Sequence, residues 1–223
     1  MNAEAVTALS DFALALLAAA LATALFFRRT QPAAVGLLLC AFLAATGMAA
    51  ALGGLWHGWR ENLGPGTEFW VWKLTLLSIG MANACLLVAL ATRLARHGLV
   101  VRRVVLVKVA AYCVAIALTD SFLPAVCDQL ATEFGALTLI FWDRRDGRHL
   151  PAAPLTTAVL LGLLSGIIQV SGVGVGSTLN HNVLYHLVGM ASLVAFFFAG
   201  IALGRTYSGD NPTTAPTTPP NAT

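Results

Sequence analysis

Seven long apolar stretches dominate this sequence and limit what the chain can fold into. They run over 8–27, 33–56, 70–92, 103–119, 122–142, 154–172 and 183–204. A bilayer core about 30 Å thick is crossed by about 20 apolar residues of helix, and each stretch is close to that length. Only 10% of the residues are charged, whereas soluble proteins average about 25%. Because no stretch alternates as a β-barrel strand would, we predict an all-α integral membrane protein with seven transmembrane helices.

The basic residues predict how these helices are oriented in the membrane. In the seven-helix topology, ten of the thirteen Lys and Arg residues fall on one side. Cytoplasmic loops carry the excess of Lys and Arg, so that side is assigned to the cytoplasm. The amino terminus is then outside and the carboxyl terminus is cytoplasmic. The ten residues are Arg28, Arg29, Arg93, Arg96, Arg102, Arg103, Arg144, Arg145, Arg148 and Arg205.

The chain divides into a membrane domain, 1–207, and a tail, 208–223. The tail reads SGDNPTTAPTTPPNAT, and its Pro- and Thr-rich composition predicts a disordered cytoplasmic segment. Arg outnumbers Lys eleven to two and Ala is abundant, which indicates a bacterial source. The expected location is therefore the bacterial cytoplasmic (inner) membrane.

Neither the cysteines nor the glycine-rich segment carries a recognisable motif. The four cysteines lie within or at the edge of the predicted spans and show no metal-ligand spacing, so they are expected to pack as small apolar residues. The segment SGVGVGSTLN, 171–180, lacks the Lys of a phosphate-binding loop. We expect it to be a flexible outer loop between two helices.

Three of the five histidines are predicted to meet at one depth near the outer surface. His57 ends the second helix in GGLWHG, and His181 and His186 open the seventh helix in NHNVLYHLVG, 180–189. Residues four apart share a helical face, so Asn182 and His186 point the same way. His181 reaches that face only if the helix begins at Asn182, with Asn180 or Asn182 as its N-cap.

These polar residues also have a structural interpretation. Trp56 and Tyr185 stand beside the histidines, and aromatic residues of this kind are typical of a membrane interface. The two asparagines of the seventh helix could serve only as helix caps. A functional site and an interfacial belt therefore both remain open for this cluster.

Ionisable residues inside the spans favour the functional interpretation. Each costs roughly 2.5–3.5 kcal/mol in hydrocarbon, so it normally faces protein, water or a partner. Most of them fall in the outer half of the bilayer, which predicts a polar funnel open to the outside above an apolar inner half. Lys108 is expected to extend its ammonium group to the cytoplasmic surface instead. The residues of the outer half are Asp11, Lys73, Asp120, Asp128 and Glu133.

The histidine segments resemble those of the alkaline ceramidase superfamily, which includes the progestin and adiponectin receptors and related membrane hydrolases. There, S-x-x-x-H on helix two and H-x-x-x-H on helix seven supply three histidines that bind zinc. Here GLWH, 54–57, matches the end of helix two, and NVLYH, 182–186, matches helix seven. The chain is also similar to bacterial membrane proteins that carry GG-x-x-HG and N-x-L-Y-H, for which no activity is established.

The chain departs from the superfamily pattern at several positions. Gly53 stands at the serine position, and Asn182 stands at the first histidine of helix seven, unless His181 replaces it by a one-residue shift. Lys73 occupies the region in which the superfamily has an acid near the start of helix three, and Glu68 precedes it. Three imidazoles would make a catalytic zinc site, whereas two imidazoles and an amide oxygen make a weaker one.

The resemblance implies a zinc-dependent intramembrane hydrolase of a lipid amide or ester that enters from the outer leaflet. His57, His181 and His186 would hold the metal, and Asp11 or Asp120 would orient a ligand or accept a proton. Zinc would activate a bound water for attack on the carbonyl carbon.

Two alternatives remain open. A non-catalytic protein of the same fold would bind a lipid or small ligand through Asn182, Lys73 and His186, with Trp56 and Tyr185 beside them. A redox protein would hold haem between His57 and His186, although no cytochrome motif is present. In each case the expected partners are membrane lipids or a small molecule, and not nucleic acid.

Overall fold

The computed structural model describes residues 3–28, 33–92, 98–146, 152–176 and 178–209. Within these residues seven helices follow the seven apolar stretches, which confirms the all-α prediction. The predicted tail, 208–223, lies outside the described residues from 210 onward. The helices are α1 (Ala3–Arg28), α2 (Ala33–Trp59), α3 (Pro65–Ala91), α4 (Gly98–Leu118), α5 (Leu123–Arg145), α6 (Ala152–Ser171) and α7 (His181–Gly209).

Proline and asparagine explain where several helices begin. Pro65 opens α3 after Gly64, a position where its missing N–H costs nothing. Pro124 stands in the first turn of α5, and helical structure is interrupted between Leu118 and Leu123, where Asp120 and Pro124 separate two apolar segments of the sequence. Asn180 caps α7, because its side-chain Oδ1 accepts a hydrogen bond from the N–H of Val183 at 3.0 Å.

Five helices, α1, α2, α3, α6 and α7, are long and apolar enough to cross a membrane, which indicates an integral membrane protein. The other two fall short because of their polar residues. Arg102, Arg103 and Lys108 lie in α4, and Asp128 and Glu133 lie in α5. Apolarity alone therefore does not establish the predicted count of seven spans.

Six helices form a closed ring, and one lies outside it. The ring runs α1–α2–α3–α5–α6–α7 and returns to α1, whereas α4 packs against α3 and α5. Small residues allow close packing of α1 on α2: a Cβ at Gly47 would lie 3.2 Å from Ala18 Cβ, and one at Gly58 would lie 3.4 Å from Ala8 Cβ.

The half of the ring farther from His57 is filled by apolar side chains. Leu43, Leu86 and Leu90 are almost fully buried there, and the rings of Phe42 and Phe196 meet edge to face at 5.1 Å. Asp143, near the end of α5, is also buried, so this half is largely but not wholly apolar. The polar half contains the candidate site.

Candidate functional site

A cavity of about 300 Å³ lies inside the ring. All six ring helices contribute to its wall, and α4 contributes none of its lining residues. The polar lining residues come mainly from the halves of the helices that lie near His57. They are Asp11, Thr46, His57, Thr75, Asn83, Gln129, Glu133, Ser165, Gln169, Asn182, Tyr185, His186 and Ser192.

His186 has partners on both nitrogens of its ring. Its Nε2 lies 3.1 Å from Asp11 Oδ1, and its Nδ1 lies 2.8 Å from Ser10 Oγ. Both Asp11 and His186 are buried. The first third of α1 and the second turn of α7 are thus joined by a polar contact within a largely apolar bundle.

The hydrogen bonds of Ser10, His186 and Asp11 indicate where the protons of these three side chains lie. Ser10 donates its single hydroxyl proton to the carbonyl oxygen of Thr7 at 2.7 Å, so it accepts from Nδ1 of His186. The axis between Nε2 and Asp11 Oδ1 then holds one further proton, on either the imidazole or the carboxyl group. A molecule in the cavity therefore meets a carboxyl group that shares its proton with His186.

His57 lines the same cavity but has a different acidic partner. Its Nδ1 lies 2.7 Å from Glu4 Oε2. Arg60 is 3.8 Å from the other oxygen of Glu4 and lies over the ring of Trp56 at 4.7 Å. The start of α1 and the end of α2 are held together at this end of the cavity by charged and aromatic side chains.

Amide side chains connect α5, α6 and α7. Gln129 donates to Gly162 O and to Ser165 Oγ, each at 3.2 Å, and accepts from Tyr185 OH at 3.2 Å. Gln169 donates to Asn182 Oδ1 at 3.0 Å. The amide nitrogens of Gln129 and Gln169 thus both donate to other groups of the protein.

Three buried acceptor atoms of the cavity residues lack a partner among the residues that the structure describes. They are Asp11 Oδ2, Glu133 Oε2 and Gln169 Oε1. Glu133 lies directly against Gly162 of α6, where a side chain larger than hydrogen would meet its carboxyl group. A buried polar group left without a hydrogen bond costs about 1–3 kcal/mol.

Lys73 and Asp120 form a separate group at the end of α4. The ammonium of Lys73 donates to Ile116 O at 2.5 Å and to Thr119 O at 2.9 Å, and it lies 2.8 Å from Asp120 Oδ1. Lys73 does not line the cavity. These contacts hold the carboxyl end of α4 against α3, and they account for both charges without a ligand.

Lys108 corrects one expectation. Its ammonium does not extend to the cytoplasmic surface but binds Asp128, whose other oxygen accepts from Asn83 Nδ2 at 2.7 Å. The prediction from the sequence was wrong because it placed Lys108 by its depth in α4 alone. The adjacent helix α5 supplies a buried carboxylate within reach of the lysine side chain.

The residues predicted for the site divide into two sets. The cavity is lined by Asp11, His57, Asn182, Tyr185 and His186. The lining does not include Trp56, Lys73, Asp120 or His181. The α7 helix begins at His181 and is capped by Asn180, so it does not begin at Asn182. Because His181 and His186 are five residues apart in regular helix, they lie on different faces of α7. Trp56 instead stacks on Trp72, which does line the cavity, with ring centroids 4.7 Å apart.

The donor set does not fit zinc. Both ring nitrogens of His186 and Nδ1 of His57 have partners, and Asn182 Oδ1 accepts from Gln169. Across the described ranges, no group of three or more His, Cys, Asp or Glu side chains is arranged to hold a metal ion. Zinc therefore stays a prediction from the resemblance.

Several residues of the site carry no prediction from the sequence, among them Ser10, Gln129 and Gln169. A signal for two of them was present. Gln129 and Glu133 are four apart in α5, and Ser165 and Gln169 are four apart in α6, so each pair lies on one face of a largely apolar helix. Ser10 has no comparable signal, because its role depends on the contact with α7.

The cavity and its helices fall within a single family match. No curated protein and no solved structure matches the chain significantly. The family match begins before Asp11 and ends after Phe196, so it includes every residue that lines the cavity. Residues 6–205 match a family of unknown function, DUF6962, and because they make up most of the chain, the protein belongs to that family.

Proposed function

We propose that this protein binds a lipid headgroup or a small molecule in its central cavity without hydrolysing it. The observation that carries the proposal is the cavity wall itself. Six helices surround a space of about 300 Å³, and three buried acceptor atoms of the lining residues lack a partner within the part of the chain that the structure describes. A hydrogen-bonding ligand would satisfy these atoms and offset their cost.

A zinc-dependent hydrolase is less well supported by the same residues. To ligate zinc, His186 would have to release either Asp11 or Ser10, and Asn182 would have to release Gln169. Asp120 is ion-paired with Lys73 away from the cavity lining, so only Asp11 of the two predicted catalytic acids is suitably placed. Haem has less support, since Nδ1 of His57 and both nitrogens of His186 have protein partners.

We further propose that all seven helices span a bacterial cytoplasmic membrane, with the amino terminus outside. Lys108 of α4 and Asp128 of α5 neutralise each other within the bundle, so these charges need not face lipid. Seven spans also keep ten of the thirteen basic residues on the cytoplasmic side. The cavity then lies in the outer half of the bilayer.

Native mass spectrometry of the full chain, extracted from its membrane in mild detergent, tests the binding proposal. Gly189 lines the cavity, and a Cβ added there would meet no atom within 4 Å, so Gly189→Leu extends into the cavity. We expect a bound small molecule or lipid on the wild type and its loss in Gly189→Leu. Gly66→Leu is the matched control, because Gly66 is exposed, has equally open surroundings and does not line the cavity.

Elemental analysis of the wild type and of two histidine variants distinguishes ligand binding from zinc-dependent hydrolysis. Stoichiometric zinc that disappears in both His57→Ala and His186→Ala would favour the hydrolase and contradict the proposal. The proposal also fails if the wild type carries no adduct, or if Gly189→Leu retains the same adduct as the wild type. Cysteine accessibility at the chain ends in sealed vesicles tests the orientation independently.

A further inference from the structure

We infer that the ligand of the central cavity is a small amphipathic amine that is held through its protonated nitrogen. This inference rests on the proposed function, because it names the chemical class of the molecule that the cavity binds. It is carried by the chemistry of the unpartnered atoms, by the charges that line the wall, and by the shape of the apolar end.

The unpartnered atoms are all hydrogen-bond acceptors. Asp11 Oδ2, Glu133 Oε2 and Gln169 Oε1 come from three different helices, and all three residues line the cavity. The two acids are nearly inaccessible, with Asp11 at 4% and Glu133 at 5% exposure. Acceptors need donors, and an ammonium group offers three donors with no acceptor of its own.

The charges of the wall favour a cation over an anion. Among the described residues that line the cavity there is no Lys or Arg. The two lysines, Lys73 and Lys108, are already bound to Asp120 and Asp128. A carboxylate ligand would therefore lie near Glu133 without a lysine or arginine to balance it, whereas an ammonium favours the ionised form of Glu133 through charge-assisted hydrogen bonds.

The remaining wall suits a hydrocarbon or aromatic body. Trp72, Phe122 and Tyr185 line the cavity beside its polar residues, and aromatic faces attract cations. Phe42 and Phe196 close the apolar end. Ligand pockets usually span about 300–1,000 Å³, and this cavity is at the lower limit, so the molecule is small.

Three probes with a common phenyl body test the charge preference. They are 2-phenylethylamine, 2-phenylethanol and 3-phenylpropanoate, measured at pH 7 by isothermal titration calorimetry on the full chain in phosphatidylcholine nanodiscs. We expect the amine to bind at least about tenfold more tightly than the alcohol, since a charge-assisted hydrogen bond replaces a neutral one. We expect no binding of the carboxylate.

Glu133→Gln tests whether the carboxylate makes this distinction. The substitution keeps the shape of the side chain and one acceptor oxygen, but the amide cannot form a carboxylate when an ammonium binds. We expect amine affinity to fall at least about tenfold and alcohol affinity to stay unchanged. Glu61→Gln is the matched control, because Glu61 is exposed and does not line the cavity, and it should change neither. The thermal midpoints of both variants verify that they are folded.

The inference that the ligand is an amine is wrong if the amine and the alcohol bind with equal affinity or if the carboxylate binds more tightly. It is also wrong if Glu133→Gln binds the amine as tightly as the wild type does. If Gly189→Leu then still abolishes binding of the other probes, the proposed cavity stands and only the ligand class is wrong. If no probe binds, the amine inference fails, and the native adduct alone decides the proposed function.

A further titration distinguishes a lipid headgroup from a free amine as the ligand. Nanodiscs that contain phosphatidylethanolamine lower the apparent affinity for 2-phenylethylamine if a lipid headgroup occupies the cavity. An unchanged affinity supports a free amine.

Discussion

Two regions of the bundle bury carboxyl groups, and the two regions differ in how many carboxyl oxygens have a hydrogen-bond or ion-pair partner. Where α3, α4 and α5 meet, Asp128 is bound through one oxygen by Lys108 and through the other by Asn83. In the central cavity, Asp11 and Glu133 each keep one buried oxygen without a partner among the described residues. Both regions are largely inaccessible, so exposure does not explain the difference.

This difference separates polar residues that stabilise the fold from polar residues that are available to bind a ligand. A buried charge with complete partners links helices, and removing one partner leaves the other charge uncompensated. A buried acceptor without a partner weakens the fold and is retained where a ligand completes it. The contact of α3, α4 and α5 is therefore expected to determine stability, and the cavity is expected to determine binding.

Asp128→Ala should have the largest effect on stability. It leaves the Lys108 ammonium and the Asn83 amide buried without their acceptor, so the free energy of unfolding should fall by about 3–5 kcal/mol. Unfolding by sodium dodecyl sulfate in mixed micelles, followed by circular dichroism, measures this. The double variant Lys108→Met, Asp128→Leu should recover most of the loss. A double variant no more stable than the single one would contradict a pairing role.

Gly80→Ala tests how tightly the same region is packed. A Cβ at Gly80 would overlap the ring of Tyr112, whose hydroxyl donates to Leu76 O at 2.6 Å. Overpacking of this kind costs about 1–3 kcal/mol, and the same unfolding measurement should detect it. Gly66→Ala, in open surroundings, is the control and should change stability much less. An equal effect of both would show that the Tyr112 contact is unimportant.

Glu133→Met should act in the opposite direction to Asp128→Ala. It removes an acceptor that has no partner among the residues that the structure describes and replaces it with an apolar chain of similar length, so the free energy of unfolding should rise by about 1–2 kcal/mol. The same variant should lose 2-phenylethylamine binding. A destabilisation as large as that of Asp128→Ala would remove the distinction between the two regions.

Asn180→Ala should have the smallest effect, about 1 kcal/mol of lost stability, because it removes the N-cap of α7. Asn180 also donates to Thr7 Oγ1 at 3.1 Å. Asn180→Asp keeps the cap but not this donor, so the two variants separate local capping from the contact with α1. Identical losses would assign the effect to the interhelical contact rather than to the cap.

Much of the fold could be predicted from the sequence, because helix formation in lipid depends on local apolarity. The break between α4 and α5 is also a local effect, because the charge of Asp120 and the ring of Pro124 mark it in the sequence. For the site, the sequence placed His57, Asn182 and His186 on one cavity because they lie at matching ends of their helices. It could not predict the contact of Glu4 with His57, since each lies at a helix end exposed to several possible partners.

The sequence by itself determined the helices, the polar half of the bundle and the face of α7 that carries Asn182 and His186. Only the tertiary structure decided which charges pair with each other and which remain open to the cavity. The reason is that spacing along one helix defines a face but not the neighbour of that face. Lys108 binds Asp128 because α4 packs against α5 from outside the ring, whereas Glu133 of α5 lines the cavity, where none of the described lining residues is Lys or Arg.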